Sequence, residues 1–350
     1  MELHYNNKSV RHAVVERFFV TVVLLAALAG CHRPEPIALQ GEAQGTFYSI
    51  LYIDPQGRNL KGAIDSLLAD FDLTASLWVD SSMIRRVNRN ETTVVSRRFA
   101  DLLEKSMEMN RYTDGAFDCR IGRLVQLWGF SFRQRQEPDD SALDSLLAAA
   151  RGSVTVSHST PPTISKQYPG TELDFNAIAQ GYSSDLVARF LDSLGIHRYL
   201  VDIGGEVIAK GEKSPGRPWT VGIERPAEDS LSAPVVETAI RLEDASVVTS
   251  GSYRKYYEKN GTRYSHTIDP ATGRPVGHTL LSVSVVEKEC WLADAMATAY
   301  MVMGLNRARD FIGAHPDGPG TKAVMFIYDD HGKLRTYATP GWHQLVPKNQ

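Results

Sequence analysis

The sequence predicts an α+β fold in which mixed or antiparallel sheets pack against several helices. Some segments repeat apolar residues at helical spacing, and others are short strand-like runs that end in turn residues. The turn at 329–332, DDHG, predicts a terminal hairpin between strands 322–328 and 334–337. The 350 residues suffice for one large domain or two smaller ones. Because chemically distinctive segments are spread over the whole chain beyond its N-terminus, we expect one domain with room for an extra lobe.

The N-terminus is typical of a secretory signal and not of a folded domain. Arg11 and Arg17 precede the apolar run 18–29, which is too short for a comfortable membrane span. The run ends in Leu28-Ala29-Gly30-Cys31, which resembles the bacterial lipobox. That resemblance implies cleavage before Cys31 and a lipid on its thiol. The alternative is a plain signal peptide followed by an ordinary cysteine.

These features divide the chain into three parts. We expect a lipoprotein signal peptide at 1–31, a tether at 32–40 that contains two prolines, and a folded domain at 41–350. The net charge of -3 gives no indication of a nucleic-acid partner. Cys119 and Cys290 are far apart and match no zinc pattern, so they form either a disulfide or two buried free thiols.

The first half of the domain alternates between strand and helix patterns. Residues 45–53 alternate enough to predict a strand. One helix is predicted by the apolar stripe Leu60, Ile64, Leu67, Leu68 and Phe71, and a second by Phe99, Leu102, Leu103 and Met107. A further helix is predicted at 142–150, after a charged surface loop at 133–140.

The segment 172–195 combines a strand with a helix. The strand is predicted to end at Asp174, and the helix to follow it directly and to stop at Gly195. Unpaired N–H groups at the start of this helix suit a phosphate. By pattern alone, Asp174 is most simply an acidic residue at a helix N-terminus. Two more strands are predicted at 199–203 and 219–223.

The most distinctive chemistry lies near the C-terminus. Residues 265–273, SHTIDPATG, contain a turn signal that predicts His266 on a strand just before a tight reversal. The helix predicted over 290–304 carries Asp294 and Thr298 four residues apart, so both oxygens project from one face. Two oxygens at this spacing suit Mg2+, which usually keeps waters and adds phosphate oxygens as further ligands. The alternative is an ordinary helix-start acid and a back-bonded core threonine.

Taken together, these segments resemble the ApbE family, the FAD:protein FMN transferases. The resemblance lies in TSGSYRKYY at 249–257, GTRYSHTIDPATGRPV at 261–276 and ADAMATAYMVMG at 293–304. Further motifs of the family occur in the same order upstream, so the similarity spans roughly Gly45 to Gly304. It implies an ApbE-like fold for the mature chain.

The resemblance also assigns roles to individual residues. The flavin-binding set that it implies is Gln44, Trp78, Ala116, Phe117, Asp118, Asp174, Gln180 and Thr267. The metal set is Ala177, through its backbone carbonyl, with Asp294 and Thr298. His266 would take the proton from the attacking hydroxyl, because histidine titrates near neutral pH. The family usually has methionine where Gln44 stands and lysine where Gln180 stands. Taken singly, Trp78 and His266 would more simply be core residues.

The reaction implied by the resemblance is a metal-assisted phosphoryl transfer. FAD is the substrate and Mg2+ the cofactor. A threonine or serine hydroxyl of a target flavoprotein attacks the phosphorus of the FMN half, AMP leaves, and FMN stays on the protein through a phosphoester bond. Two alternatives stay open. One is Mg-dependent hydrolysis of FAD to FMN and AMP, and the other is a flavin-binding lipoprotein without catalysis.

The resemblance further implies a partner and a location. The expected acceptor is an extracytoplasmic subunit of a membrane electron-transfer complex, such as a sodium-pumping quinone reductase or an Rnf-type complex. With a lipid on Cys31, the protein is expected in the cell envelope, anchored to a bacterial membrane and facing the periplasm or exterior.

Overall fold

The computed structural model describes residues 35–129, 139–226, 235–252, 256–259 and 262–347, with the backbone alone for 256–259 and 262–265. The predicted signal peptide at 1–31, with Cys31, lies outside these residues, as does most of the predicted surface loop at 133–140. None of the helices in the described ranges is long and apolar enough to cross a membrane.

The secondary structure follows the predicted alternation of helices and strands. The helices are α1 (Lys61–Ala75), α2 (Met83–Asn88), α3 (Arg97–Tyr112), α4 (Gly122–Leu127), α5 (Asp140–Ala150), α6 (Ala179–Ser193), α7 (Cys290–Ala314) and α8 (Pro340–Leu345). The strands are β1 (Ile37–Ala43), β2 (Thr46–Tyr52), β3 (Val154–Ser157), β4 (Thr163–Lys166), β5 (Tyr199–Ile203), β6 (Glu206–Lys210), β7 (Glu212–Ser214), β8 (Arg217–Arg225), β9 (Val235–Leu242), β10 (Ala245–Gly251), β11 (Tyr256–Lys259), β12 (Thr262–Ser265), β13 (Ile268–Asp269), β14 (Arg274–Pro275), β15 (Leu280–Glu287), β16 (Ala323–Asp330) and β17 (Lys333–Ala338).

An eight-stranded sheet forms the centre of the fold. Its strand order is β1-β2-β5-β6-β10-β15-β16-β17, and every neighbouring pair is antiparallel. Strands β7, β8 and β9 form a smaller sheet, and the remaining strands pair as short hairpins. The predicted α+β class, with antiparallel sheets and several helices, is confirmed.

The central sheet is buried on both faces, which explains why β16 is apolar almost throughout. Val324 and Phe326 pack into the larger core, where α6 and α7 cover the sheet. Met325 and Ile327 point the other way, into a second cluster formed with the β8–β9 hairpin and α8. Because successive side chains of a strand point to opposite faces, a sheet covered on both sides requires a continuous apolar run.

Two predicted boundaries are wrong. The tether was expected to extend to residue 40, but β1 already begins at Ile37 and pairs with β2, and Leu39 is buried in the larger core. No strand ends at Asp174, and α6 begins at Ala179 and not directly after that aspartate. The physical reason is a turn at 175–178, in which the Ile178 N–H donates to the Phe175 carbonyl.

The position of His266 also differs from the prediction. The strand before the reversal is the two-residue β13, whose partner is β14, and the Gly273 N–H closes the turn on the Asp269 carbonyl. His266 therefore lies in the connection between β12 and β13, outside either strand. The two remaining cysteines, Cys119 and Cys290, are buried free thiols, which excludes a disulfide between them.

Candidate active site

A cleft of about 1690 Å³ collects the predicted functional residues. This volume exceeds the roughly 300–1,000 Å³ of ordinary small-molecule pockets and suits a dinucleotide. The cleft is lined by every predicted site residue other than Cys31: Gln44, Trp78, Ala116, Phe117, Asp118, Asp174, Ala177, Gln180, His266, Thr267, Asp294 and Thr298. The fold thus brings together segments that are distant in sequence, and the roles of these residues stay predictions.

Helices α6 and α7 cross in very close contact at one corner of the cleft. A Cβ added to Gly181 of α6 would lie 2.4 Å from the Cys290 carbonyl oxygen and 2.8 Å from the Asp294 Cβ. Real Cβ atoms do not approach other atoms so closely, so this crossing requires glycine. The Gly181 N–H donates a hydrogen bond of 3.0 Å to Asp294 Oδ2. The corner is therefore held by backbone contact as well as by side-chain packing.

The same hydrogen bond replaces a regular main-chain hydrogen bond in the first turn of α6. In a regular helix the Gly181 N–H would donate to the carbonyl four residues earlier, which belongs to Ala177. Here it donates to Asp294, and the Ala177 carbonyl accepts no hydrogen bond from any described residue. Both groups line the cleft. The Ala177 carbonyl therefore lacks its usual helical donor, and it belongs to the same cleft lining as the carboxylate that takes that donor.

Thr298 adds a third oxygen to this corner. It lies one turn after Asp294 on α7 and lines the same cleft. Its hydroxyl donates to no carbonyl of the preceding turn, in contrast to the buried Ser106, whose hydroxyl donates to Leu102. Asp294 itself is 5% exposed. The first turn of α7 contains no acidic residue, so the pair is not an ordinary helix-start acid and a back-bonded threonine, and its role as a metal site stays a prediction.

Burial shifts the acid–base behaviour of two carboxyl groups in the cleft. It raises the pKa of Asp294 to about 7, with a smaller increase from the nearby Asp185 and a decrease from the Gly181 N–H. It also raises the pKa of Asp174 to about 6, opposed by the Asn176 N–H. A buried carboxyl group that is only partly ionised at neutral pH is typical of functional sites, and a bound cation would favour its charged form.

Acidic residues outnumber basic ones in the described lining of the cleft. Its carboxyl groups are Asp72, Asp118, Asp174, Asp202, Glu206, Glu224 and Asp294. No lysine or arginine is among the described residues that line it. Because like charges repel at close range, an anionic diphosphate would require a cation between itself and these carboxylates.

Two of the aspartates also fix the local backbone. The Asp118 carboxylate forms a two-point ion pair with Arg120, with N–O distances of 2.8 and 2.7 Å. Asp174 accepts a hydrogen bond of 2.8 Å from the Asn176 N–H. It does not cap α6, whose N-cap is Ile178, so the interpretation of Asp174 as a helix-start acid is wrong. Both aspartates shape loops that line the cleft.

Two exposed aromatic side chains also line the cleft. Trp78 is 67% exposed, so it is not a core residue. Phe47, which the sequence did not single out, is 73% exposed. Phe117 and Ala116 line the cleft as well, but they are buried. The exposed rings therefore offer apolar area to a planar ligand.

Gln44 and Gln180 lie on neighbouring parts of the cleft wall. Gln44 occupies the β1–β2 turn with a positive φ of 55°, and its Oε1 accepts a hydrogen bond of 3.2 Å from the Ser183 hydroxyl. The same hydroxyl donates to the Gln180 carbonyl over 2.8 Å. A Cβ on Gly204 would lie 2.7 Å from Gln180 Nε2, so this glycine makes room for the amide. The Ser183 hydroxyl thus links the Gln44 side-chain amide to the Gln180 backbone carbonyl.

His266 and Thr267 line the cleft from the connection between β12 and β13. The Thr267 carbonyl accepts a hydrogen bond of 3.0 Å from the Val276 N–H, which ties the connection to the far side of the reversal. Sequence reasoning missed Asp72, Asp202 and Phe47. No local pattern marks these three residues, because they reach the cleft only through the tertiary fold.

Comparison with known families decides the classification. The family model described as "ApbE family" matches residues 44–323, which is most of the chain. The chain belongs to the ApbE family. The matched range contains every described segment that lines the cleft, so the ApbE resemblance predicted from the sequence is confirmed.

Relatives within the ApbE family share nearly the whole length of the chain. A protein of Vibrio cholerae serotype O1 named FAD:protein FMN transferase is 36% identical over 344 residues, covering 95% of this chain and 100% of its own. An Escherichia coli K12 protein of the same name is 34% identical over 95% of this chain and 99% of its own. Among solved structures, the Pseudomonas stutzeri flavinyl transferase ApbE, apo form, has a TM-score of 0.78 at 30% identity, covering 90% of this chain and 98% of that one.

Proposed function

We propose that this chain is an FAD:protein FMN transferase, which moves the FMN half of FAD onto a hydroxyl of a target protein and releases AMP. Its place in the ApbE family and the names of its relatives support the enzyme class. The structural observation that carries the proposal is the corner where α6 meets α7. The three oxygen donors there, the Ala177 carbonyl, the Asp294 carboxylate and the Thr298 hydroxyl, belong to residues that line a dinucleotide-sized cleft.

The donors at this corner fit Mg2+. They are the carbonyl of Ala177, the carboxylate of Asp294 and the hydroxyl of Thr298, all of them hard oxygen ligands. Within the described ranges, no three His, Cys, Asp or Glu side chains gather into a metal cage. Water and substrate phosphate oxygens would therefore supply the further ligands. When bound, Mg2+ would neutralise charge on the diphosphate of FAD.

The chain's own residues would divide the remaining work between binding and proton transfer. Trp78 and Phe47 offer the apolar surface for the flavin rings. His266 takes the proton of the acceptor hydroxyl while the hydroxyl oxygen forms a bond to the phosphorus of the FMN half. The bond from that phosphorus to the bridging diphosphate oxygen breaks, and AMP leaves with that oxygen.

The location and the acceptor extend this proposal. The basic and apolar residues before Cys31 support export and a lipid anchor on that cysteine. The protein would then face the periplasm or exterior from a bacterial membrane. An extracytoplasmic flavoprotein subunit of a membrane electron-transfer complex is the acceptor that fits this position.

One incubation separates the candidate activities. The protein is mixed with FAD, Mg2+ and a threonine-containing acceptor protein or peptide, and the products are followed by flavin fluorescence in gels and by chromatography of nucleotides. Covalent flavin on the acceptor with an equal amount of AMP supports the transferase. Free FMN with AMP and no labelled acceptor indicates a hydrolase, and the absence of AMP indicates a flavin-binding protein.

A further inference from the structure

We propose that Asp185 is a positioning residue for the metal corner, the proposed site formed by Ala177, Asp294 and Thr298, because it holds the first turn of the helix that carries Asp294 and Thr298. The inference rests on the proposed metal site. It concerns a residue on α6 that does not line the cleft and that the sequence did not single out. Its carboxylate would act through α7 and would not touch metal or substrate.

The N-terminus of α7 is capped from another helix. The N-cap residue, Glu289, makes no side-chain capping bond. Instead, the N–H of Cys290 donates to Asp185 Oδ1 over 3.0 Å, and the N–H of Trp291 donates to Asp185 Oδ2 over 2.9 Å. These bonds satisfy two of the N–H groups that every helix leaves unpaired at its start. The negative carboxylate also lies at the positive end of the α7 dipole.

The hydrogen bonds between Asp185 and the start of α7 join buried residues. Asp185 is 4% exposed, and Cys290 and Trp291 are buried as well. Without the carboxylate, two buried N–H groups would lose their acceptors, and the first turn of α7 would have to move or fray to find others. The capping bonds therefore fix where α7 begins relative to α6.

The position of that first turn determines the metal corner. Gly181 and Asp185 are one turn apart on α6, and both contact the start of α7. Gly181 contacts Asp294 directly through its N–H, and Asp185 holds the two residues that begin the helix. Asp294 follows Cys290 by one helical turn, so a shift at Cys290 is transmitted to the Asp294 carboxylate. Outer partners that orient metal ligands commonly change metal affinity about 10–100-fold.

If Asp185 only stabilised the fold, its substitution would have a different effect on metal affinity. Such a role predicts a loss of stability upon substitution but no change in the metal affinity of the molecules that remain folded. Asp139 provides a matched control, because it caps α5 through a hydrogen bond of 2.7 Å from the Ala142 N–H and does not line the cleft. Asp139→Ala should lower thermal stability and leave metal affinity unchanged.

The test measures Mn2+ binding to the flavin-free full chain by the electron paramagnetic resonance of free Mn2+. Asp185→Ala should weaken binding about ten-fold or more. Asp185→Asn should give an intermediate loss, because its single amide oxygen retains one of the two acceptor positions. Circular dichroism confirms that each variant is folded, and Asp185→Asn serves as the test if Asp185→Ala does not fold.

Two outcomes would overturn the inference in distinguishable ways. Folded Asp185→Asn that binds Mn2+ as tightly as the unmodified chain would leave the metal site in place and remove Asp185 from it. An unmodified chain that binds no Mn2+ even with FAD present, or Asp294→Ala that binds it as tightly as the unmodified chain, would remove the proposed metal site itself. A loss of affinity in the Asp185 variants but not in Asp139→Ala supports the assignment.

Discussion

Two regions of the cleft lining are built in different ways. The corner proposed to hold the metal is buried, and it is held by a glycine contact, a backbone hydrogen bond and a carboxylate that caps a helix. The region proposed to bind the flavin presents Trp78 and Phe47, which are more than half exposed. This difference fits a division in which charge compensation would depend on preorganised oxygen atoms and ring binding on apolar area. Substitutions in the metal corner should therefore lower metal binding and the rate of transfer, whereas Trp78→Ala should mainly raise the KM for FAD.

The largest expected effect is that of Asp294→Ala. Removing the only carboxylate of the proposed metal set should lower the rate of FMN transfer about 10³-fold or more, since a catalytic metal ion stabilises charge by several kcal/mol. Steady-state transfer measured against Mg2+ concentration checks this. An unchanged Mg2+ requirement in the variant would show that the metal binds elsewhere.

The next largest effect is expected for His266→Ala. The rate of transfer should decrease about 10²–10⁴-fold, which is the usual contribution of a general base. FAD binding should be retained, because the proposed role of His266 concerns the acceptor hydroxyl. Flavin binding by fluorescence and single-turnover transfer separate the two effects. Full transfer activity in the variant would exclude His266 from proton transfer.

Gly181→Ala should damage both the fold and the metal corner. The added methyl group overlaps the Cys290 carbonyl and Asp294, which should cost about 1–3 kcal/mol of unfolding free energy and weaken Mn2+ binding. Gly62→Ala is the matched control, because a Cβ on Gly62 in α1 meets nothing within 4 Å. It should be neutral or stabilising by up to about 1 kcal/mol. Equal behaviour of the two variants in denaturant titrations would contradict the close helix crossing.

The effect of Mg2+ on stability should depend on pH. Burial raises the pKa of Asp294 from 3.8 to about 7, so its contribution to the stability of the metal-free protein is complete below pH 4 and is lost as the pH rises towards 7. Mg2+ favours the ionised carboxylate and competes with its proton. The increase in melting temperature produced by Mg2+ should be larger at pH 8 than at pH 5.5, and it should lose this dependence in Asp294→Asn. Equal increases at both pH values in the unmodified chain would contradict the assignment.

Trp78→Ala should have the smallest effect of this set. Loss of one stacking ring should raise the KM for FAD by about ten-fold, which corresponds to about 1.4 kcal/mol, with kcat nearly unchanged. The unfolding free energy should change by less than about 0.5 kcal/mol, because the side chain is mostly exposed. A large loss of stability or of kcat would place Trp78 with the preorganised side of the cleft.

Local signals located segments of the candidate site but did not by themselves assign roles. The spacing of Asp294 and Thr298 placed both on one helix face, and Asp-Pro and Gly marked the turn after His266. The family resemblance then selected these residues, as well as the flavin-binding set, as site candidates. All of them line one cleft in the structure.

Features that arise only from packing were beyond a reading of the sequence. Gly181 looks like any glycine in a helix until α7 lies against it, and Asp185 looks like a surface acid until it caps that helix. The start of α6 was misplaced for a related reason. Residues 175–178 satisfy their backbone in a separate turn, and the Gly181 N–H is drawn to a side chain more than a hundred positions away.

The most direct test of the proposed metal site is the anomalous diffraction of a crystal soaked with Mn2+ and FAD. We expect a metal peak at the α6–α7 corner, within roughly 2.0–2.3 Å of the Ala177 carbonyl, the Asp294 carboxylate and the Thr298 hydroxyl, and in contact with the diphosphate. A peak bound by Asp202 or Glu206, with Ala177 and Asp294 too far apart to share an ion, would contradict it.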